Sequence, residues 1–294
     1  MSESTTKEEP EGTKPVRVSA SQLDTFEKCS LKCKFNYIDK VERVSSLAAV
    51  RGTFVHSVLE GLYELDSEER DLDTTKLIAR AEWDLLVENN EEFQSLELED
   101  QAQREFRQES WKLIRRLWEI ESPKSVEVDS NEMKLEFDIE EGVHFIGYAD
   151  RLDRVGDGIE VIDYKTGKRP ANRFAGDKKR QIKLYALAVD EMTGKPVRKG
   201  KLLFFGGTTP GIITVKINES IIQETKVELI TDARKIKKAK NGDLSEIKAT
   251  PHTLCGWCDF FAHCQEGQEY ITKRVKDGDF RRLDAPGVVY LGLP

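Results

Sequence analysis

Long apolar runs are missing from this sequence. No stretch approaches the roughly 18 unbroken apolar residues that a membrane-crossing helix needs, so no membrane span is expected. The first ten residues, MSESTTKEEP, lack the apolar segment of a secretory signal. No fixed period recurs, which excludes a repeat array, a collagen and a coiled coil. No G-x-x-x-x-G-K-[ST] occurs, so no ATP motor of the phosphate-loop type is expected in this chain. Cysteine is scarce, with five in 294 residues. In a chain without an export signal this argues against a disulfide framework and for metal or redox use in a reducing cytoplasm. An overall positive charge is also absent: 46 Lys and Arg stand against 54 Asp and Glu, net −8.

Two opposed charge blocks lie under that total. Residues 66–100 carry 13 acids and 3 bases, net −10; residues 165–201 carry 12 bases and 3 acids, net +9. A basic cluster attracts phosphate backbones, and a solvated charged loop has the same composition. With 38% hydrophobic and 34% charged residues, the chain can bury a core as one large domain or two small ones.

Residues 1–16 are polar and read as a disordered tail. Ser19 is a helix N-cap ahead of Leu23 and Phe26. Val55, Val58, Leu59 and Leu62 fall on one stripe and predict a helix from Arg51. Residues 73–90 and 101–121 read as two more amphipathic helices. Trp111, Leu113, Ile114, Leu117 and Trp118 supply core, and Pro123 helps end the second. The period then changes to two. Residues 126–139, 143–155 and 159–164 read as an antiparallel meander with a tight turn at Gly156-Asp157-Gly158. A helix over 179–191, strands over 200–206 and 211–217, and a helix over 219–240 closed by Asn241-Gly242 follow. Residues 287–291 fit an edge strand, a partner peptide or plain packing.

Asp150, Asp163 and Lys165 form the first chemical constellation. The turn at 156–158 folds Asp150 back toward Asp163, and strand alternation puts Asp163 and Lys165 on one face. Two neighbouring carboxylates repel and favour a divalent cation between them. Hard oxygen donors select Mg²⁺ or Mn²⁺. Such a cation activates water and stabilises charge on phosphate, while Lys165 orients the water or neutralises charge. D-x-K alone is weak and occurs by chance in most proteins. Here an apolar strand precedes it, and Gly147-Tyr148-Ala149-Asp150 lies upstream. Gln181 and Tyr185 share a helix face at i, i+4 and could reach the site or a nucleic-acid backbone. His56 sits beside the apolar stripe of its helix. Alone such a histidine is more often structural; with the carboxylates it becomes a third metal ligand.

Cys255, Cys258 and Cys264 form a second constellation, C-x2-C-x5-C. A metal centre needs a fourth ligand, and Cys29 and Cys33 are the remaining thiols. Three clustered cysteines and one remote one favour an iron–sulfur cubane. Four-thiolate zinc, or zinc with His252 or His263 replacing a thiolate, is the alternative.

The set Gly52…His56, Gly147…Asp150, Asp163-Tyr164-Lys165-Thr166-Gly167 and Gln181…Tyr185 resembles the RecB family of the PD-(D/E)xK nuclease superfamily, from about residue 18 to 265. The resemblance implies His56, Asp150, Asp163 and a backbone carbonyl near Tyr164 as metal ligands. It implies Lys165 as the catalytic lysine and Gln181 and Tyr185 as the supporting motif. Ser21-Gln22-Leu23…Phe26-Glu27-Lys28-Cys29, followed by Phe35 and Tyr37, is similar to the iron–sulfur members, AddB-type and CRISPR-associated nucleases among them. By that likeness Cys29, Cys255, Cys258 and Cys264 hold a [4Fe–4S] cluster that staples the chain ends, and Cys33 is a buried spare. Ser30 departs from the usual proline after the first cysteine.

The expected fold is therefore α/β (α+β): a restriction-endonuclease-like core with a central mixed sheet flanked by helices. The expected divisions are a tail over 1–16, a helical region over 17–125, a nuclease core over 126–250, a cysteine cluster over 251–267 and a tail over 268–294. The expected activity is Mg²⁺- or Mn²⁺-dependent exonucleolytic hydrolysis of single-stranded DNA ends. The setting would be recombination, repair, or phage or CRISPR DNA processing in the cytoplasm of a bacterial or phage-infected cell. A helicase or recombination partner, an oligomer, and no membrane association go with it. Lys168, Arg169, Arg173, Lys178, Lys179 and Arg180 would hold the backbone. The other reading is a non-cleaving DNA-binding or adaptor module that partners a helicase.

Overall fold

The structure is a computed structural model that describes residues 15–43, 46–140, 142–171 and 175–293. The expected disordered tail lies outside the described residues up to residue 14, and Val16 already belongs to a strand.

The chain runs β1 (Val16–Val18), α1 (Ala20–Lys28), α2 (Ser30–Cys33), α3 (Leu47–Glu64), α4 (Leu72–Asn89), α5 (Glu91–Gln94), α6 (Asp100–Arg115) and α7 (Leu117–Ile120). Then come β2 (Val128–Glu140), β3 (Val143–Val155), β4 (Gly158–Lys168), α8 (Gly176–Thr193), β5 (Val197–Gly206), β6 (Gly211–Lys216) and α9 (Glu219–Lys240). Finally α10 (Gln265–Lys276) and α11 (Pro286–Tyr290) follow the cysteine segment.

Caps set the helix starts. The hydroxyls of Ser19 and Ser46 accept from the amides of Gln22 and Ala49, and the Asn218 side chain accepts from Ile221. Capped by Ser46, α3 starts at Leu47, four residues before the predicted Arg51, because the apolar stripe begins only after the cap. The predicted helix over 101–121 breaks at Arg116, whose guanidinium donates to the Phe205 carbonyl on β5. At Gly156 the φ of +60° lets the chain reverse between β3 and β4 in two residues.

Among the described residues, six strands make one mixed sheet in the order β1-β3-β4-β5-β6, with β2 also paired to β3. β2 runs antiparallel along one edge of β3. The other edge is divided: β1 pairs in parallel with residues 143–145, and β4 pairs antiparallel with residues 151–155. Among the described residues, no strand lies beside residues 146–150 of β3 on that edge. β4 continues parallel to β5 through the α8 crossover.

Each face of the sheet is covered. On one side α1, α8 and α9 enclose Leu135, Phe145, Val161, Leu202 and Phe204. On the other, α3, α4, α5 and α6 enclose Ile162, Tyr164, Leu203 and Phe205. Leu202 to Phe205 alternate between the two cores, as period two requires. A third, small core of Phe261, Ile271, Phe280, Ala285 and Val288 holds the cysteine segment against α10 and α11. The edge-strand option for residues 287–291 is therefore overturned: Pro286 opens a short helix there, its fixed φ suiting the first turn.

Candidate active site

The site forms where β3 and β4 part. Their pairing ends at Arg151↔Ile162, one residue short of Asp150 and Asp163. Strand alternation also breaks here. Ala149 and Leu152, three apart, both pack into the α8-side core, so the pleat is interrupted between them. On β2, Met133 packs into the same core while the Asn131 side chain donates to the Glu60 carbonyl on α3. Between these two lies Glu132, with a left-handed φ of 45° in mid-strand. Such a backbone costs a non-glycine residue roughly 1–3 kcal/mol. The register Asn131↔Arg151 and Met133↔Ala149 puts Glu132 opposite Asp150.

Asp150 has two partners. Its Oδ2 accepts from the Tyr164 amide at 2.5 Å, and its Oδ1 lies 3.3 Å from His56 Nδ1. The His56 ring packs edge-on to Tyr164 at 5.7 Å. Burial alone would depress the imidazole, but the hydrogen bond and charge of Asp150 outweigh it and raise its pKa. Asp163 is 2% exposed. Burial raises its carboxyl to about 6, against the opposing pull of Lys165. Lys165 Nζ stands 2.6 Å from Asp163 Oδ2 and donates to Gln181 Oε1 at 3.0 Å. Gln181 Nε2 in turn donates to the Tyr185 hydroxyl at 3.0 Å. The α3 layer thus delivers His56, the α8 layer delivers Gln181 and Tyr185, and the sheet delivers the two aspartates and the lysine between them.

Beneath the site Arg151 is fully buried. Its guanidinium pairs with Glu121 and Asp153 and donates to the Tyr164 hydroxyl at 2.9 Å. Tyr164 therefore has its side chain clamped by Arg151 while its amide holds Asp150.

Glu132 is the site residue that motif spacing does not reveal. A ligand atom from each of His56, Glu132 and Asp150 lies within 4.8 Å of the others. Laying the β2–β3 register onto the predicted meander would have found it, since position 132 falls across from 150. The donor set suits Mg²⁺ or Mn²⁺.

The basic block is partly neutralised. Lys195 pairs with Asp129, Arg198 with Asp157, and Lys199 and Lys201 with Glu160. Arg180 joins Glu27 and Asp232, a structural tie between α8, α1 and α9 rather than the free backbone contact expected of it. Arg173 lies outside the described residues. Lys178 is close enough to Lys165 for that charge, after burial, to lower its pKa.

Cys29, Cys255, Cys258 and Cys264 line one cavity of about 400 Å³. Backbone amides of His252 and Gly267 donate to the sulfurs of Cys255 and Cys264. Cys33 is 1% exposed and does not line the cavity; burial pushes its thiol up to about 12. The thiols frame open space rather than a tight knot. Among the described residues, the metal-capable set gathered within 4.8 Å is that of His56, Glu132 and Asp150.

The sequence profile of the PD-(D/E)XK nuclease superfamily matches residues 17–265, most of the chain. The chain belongs to the PD-(D/E)XK nuclease superfamily. The fold of this superfamily member is similar to a solved Eubacterium rectale protein named as a candidate exonuclease. The TM-score is 0.52 at 14% identity, over 76% of this chain and 81% of that one. A 79-residue stretch is 43% identical to one of the subunits of the ATP-dependent helicase/nuclease of Listeria welshimeri, covering 24% of this chain and 6% of that protein. A 72-residue stretch is 40% identical to the equivalent helicase/nuclease protein of Pelotomaculum thermopropionicum, covering 22% and 5%. The match thus spans a small fraction of those long relatives. Among the described residues no helix is long and apolar enough to cross a membrane.

Proposed function

We propose that the chain is a metal-dependent DNA exonuclease that hydrolyses phosphodiesters from single-stranded ends. The observation that carries this is the convergence of Asp150, Asp163 and Lys165, joined by His56, where β3 and β4 separate. A binding module has no need of a lysine held 2.6 Å from a buried carboxylate. His56, Asp150 and Asp163, with the Tyr164 carbonyl, would hold Mg²⁺ or Mn²⁺. Such an ion, when bound, lowers the pKa of a ligated water and offsets charge on the scissile phosphate. The chain's own residues then have defined work. The Tyr164 amide and His56 orient Asp150. Gln181 steers the Lys165 ammonium, and Tyr185 steers Gln181. Lys165 offsets negative charge as it develops on the phosphate oxygens. Lys168 and Lys178, beside this end of β4, hold the backbone without reading sequence.

Cys29, Cys255, Cys258 and Cys264 would hold a [4Fe–4S] cluster, which is structural chemistry here, fastening the N-terminal helices to the C-terminal lobe. Their shared cavity and the amide donors on two of the sulfurs support this. An absorption spectrum with a thiolate-to-iron band and iron analysis, as against zinc, decide between the two metals. The names of the helicase/nuclease relatives support a helicase partner. The setting that goes with this reading is recombination, repair, or phage or CRISPR DNA processing in the cytoplasm of a bacterial or phage-infected cell.

The test is cleavage of end-labelled single-stranded DNA with Mn²⁺ by wild type and Asp163→Ala. The expected result is loss of cleavage in the variant; equal activity in both would remove the mechanism. DNA binding that persists in EDTA, with no cleavage under any metal, would instead establish the adaptor reading.

A further inference from the structure

A groove runs along the helical layer, on the side of α3 turned away from the metal site. α4 and α6 both pack on α3, and between them lies a cavity of about 440 Å³. The buried Phe54 of α3 closes its floor, with Trp83 of α4 and Trp111 of α6 beside it. Phe54 and His56 are two residues apart, about 200° around a helix, so the groove and His56 occupy opposite faces of α3. Trp83 is enclosed: Phe54, Phe93 and Phe106 surround its ring, and the Arg107 guanidinium sits 5.0 Å from its centroid. Trp111 is different. It is half-buried, and among the described residues no ring or cation lies over it. Around this aromatic lining the charge is positive. Among the described residues, Lys76, Arg80 and Arg107 line the cavity with one acid, Asp84. None of the three cations has a carboxylate within ion-pair distance among the described residues. By contrast Lys112, on the helix of Arg107, is paired with Glu109, and much of the basic block is tied to carboxylates. The acidic stretch 66–100 holds three bases, Arg70, Lys76 and Arg80. Arg70 is buried on backbone carbonyls, so the two exposed ones both stand at the groove. Glu82 does not line it and lies near Glu60 and Glu64 of α3 instead.

We propose that this groove holds an unpaired nucleotide of the DNA strand beyond the point of cleavage, its base stacked on Trp111 and its flanking phosphates on Lys76, Arg80 and Arg107. The proposal rests on the nuclease reading for its strand, and adds an anchoring site that shares no residue with the metal site. An open indole face takes a base of any identity, because every base has a π-face. Unpaired cations around an apolar floor complement a ligand that is flat and apolar between its charges, as a nucleotide is. A cavity of about 440 Å³ has the size of a site for one small ligand. Bases in a duplex are stacked on their own neighbours and offer no face, so the groove selects single strands. A strand anchored there stays on the protein while its end is cut.

The test is binding of a fluorescein-labelled oligothymidylate of about twelve nucleotides to the purified full-length chain, by fluorescence anisotropy, with no divalent cation added so that the strand stays intact. Trp111→Leu should weaken binding by about fivefold or more, and Trp111→Phe, which keeps a ring, should recover most of the loss. Lys76→Gln combined with Arg80→Gln changes two exposed side chains and should melt like wild type. It should lower the slope of log K against log salt by roughly 1.4, and it decides the matter if the tryptophan variants fold poorly. In cleavage with Mn²⁺, both Trp111→Leu and this pair should raise KM and leave kcat near wild type. Wild-type affinity in Trp111→Leu and in the Lys76 and Arg80 pair overturns the proposal and leaves the groove to an acidic peptide of a partner protein. So does thymidine monophosphate that binds as tightly as the oligomer, which would make the groove a product site. Cleavage is scored separately. Binding that depends on Trp111, without cleavage under any metal, sinks the nuclease reading and leaves the groove standing; cleavage with binding indifferent to Trp111 and to the pair does the reverse.

Discussion

Among single residues, Lys165 is held between a buried carboxylate and a glutamine, so its ammonium has little freedom. Lys165→Met should lower single-stranded DNA cleavage by about a hundredfold or more while leaving the melting temperature near wild type. Gln181→Ala should cost less, because it orients the lysine without touching phosphate. Arg151 is a different case. Replacing this fully buried guanidinium by Met strands Glu121 and Asp153 and should cost about 3–5 kcal/mol of stability, read by urea unfolding. Acidity adds a third test. Burial raises Asp163 to about 6 from 3.8 and, with the charge of Asp150, raises Glu132 to about 7 from 4.5. The folded chain therefore holds these protons more tightly than the unfolded one, and their contribution to stability falls as pH rises through that window. A cation must displace the same protons. The gain in melting temperature on adding Mn²⁺ should thus grow from about pH 5 to about pH 7.5; a flat profile would count against Asp163 as a ligand.

Among the elements, the site exists because β3 loses one neighbour before it gains the next. The three strands of the meander were readable from period two, and so were the Gly156 turn and the shared face of Asp163 and Lys165. The break at Glu132 and Asp150 was not, since a single left-handed residue leaves no trace in an alternation pattern. β1 escaped for another reason: three residues are too few to show a period. Close approach of β5 to the end of β4 gives a prediction for these strands. A Cβ on Gly206 would stand 2.5 Å from the Gly167 carbonyl carbon. Gly206→Ala should push the Thr166-Gly167 backbone away, displace Lys165 and lower cleavage more than stability. A variant with full activity would show that this end of β4 need not be fixed.

Across the molecule, the N-terminal helices and the C-terminal segment meet at the thiol cavity. Cys29 sits in an extended backbone between α1 and α2, which turns its side chain out of the helical run. Ser30, the departure from the usual proline, accepts from the Lys248 amide and donates to the Glu246 carbonyl, both at 2.8 Å. It stitches the first cysteine beside the last three. Closing a loop of more than 220 residues favours the compact state through lost chain entropy. If these four thiols hold the proposed cluster, Cys29→Ser and Cys258→Ser should lower the melting temperature by similar amounts, and removing that metal from wild type should lower it as far. Unequal effects would separate Cys29 from the group.

Local chemistry along the chain set the repertoire of this protein. Alternating apolar residues specify strands, caps and stripes specify helices, and side-chain type specifies which residues can ligate or carry charge. Which of those groups meet was settled by packing. Packing brought Glu132 beside Asp150, turned Asp163 toward Lys165, tied Arg180 and half the basic block to carboxylates, and chose Cys29 over Cys33 for the cavity. Those outcomes depend on strand register and on contacts between segments far apart in the chain, where no neighbouring residue records the partner.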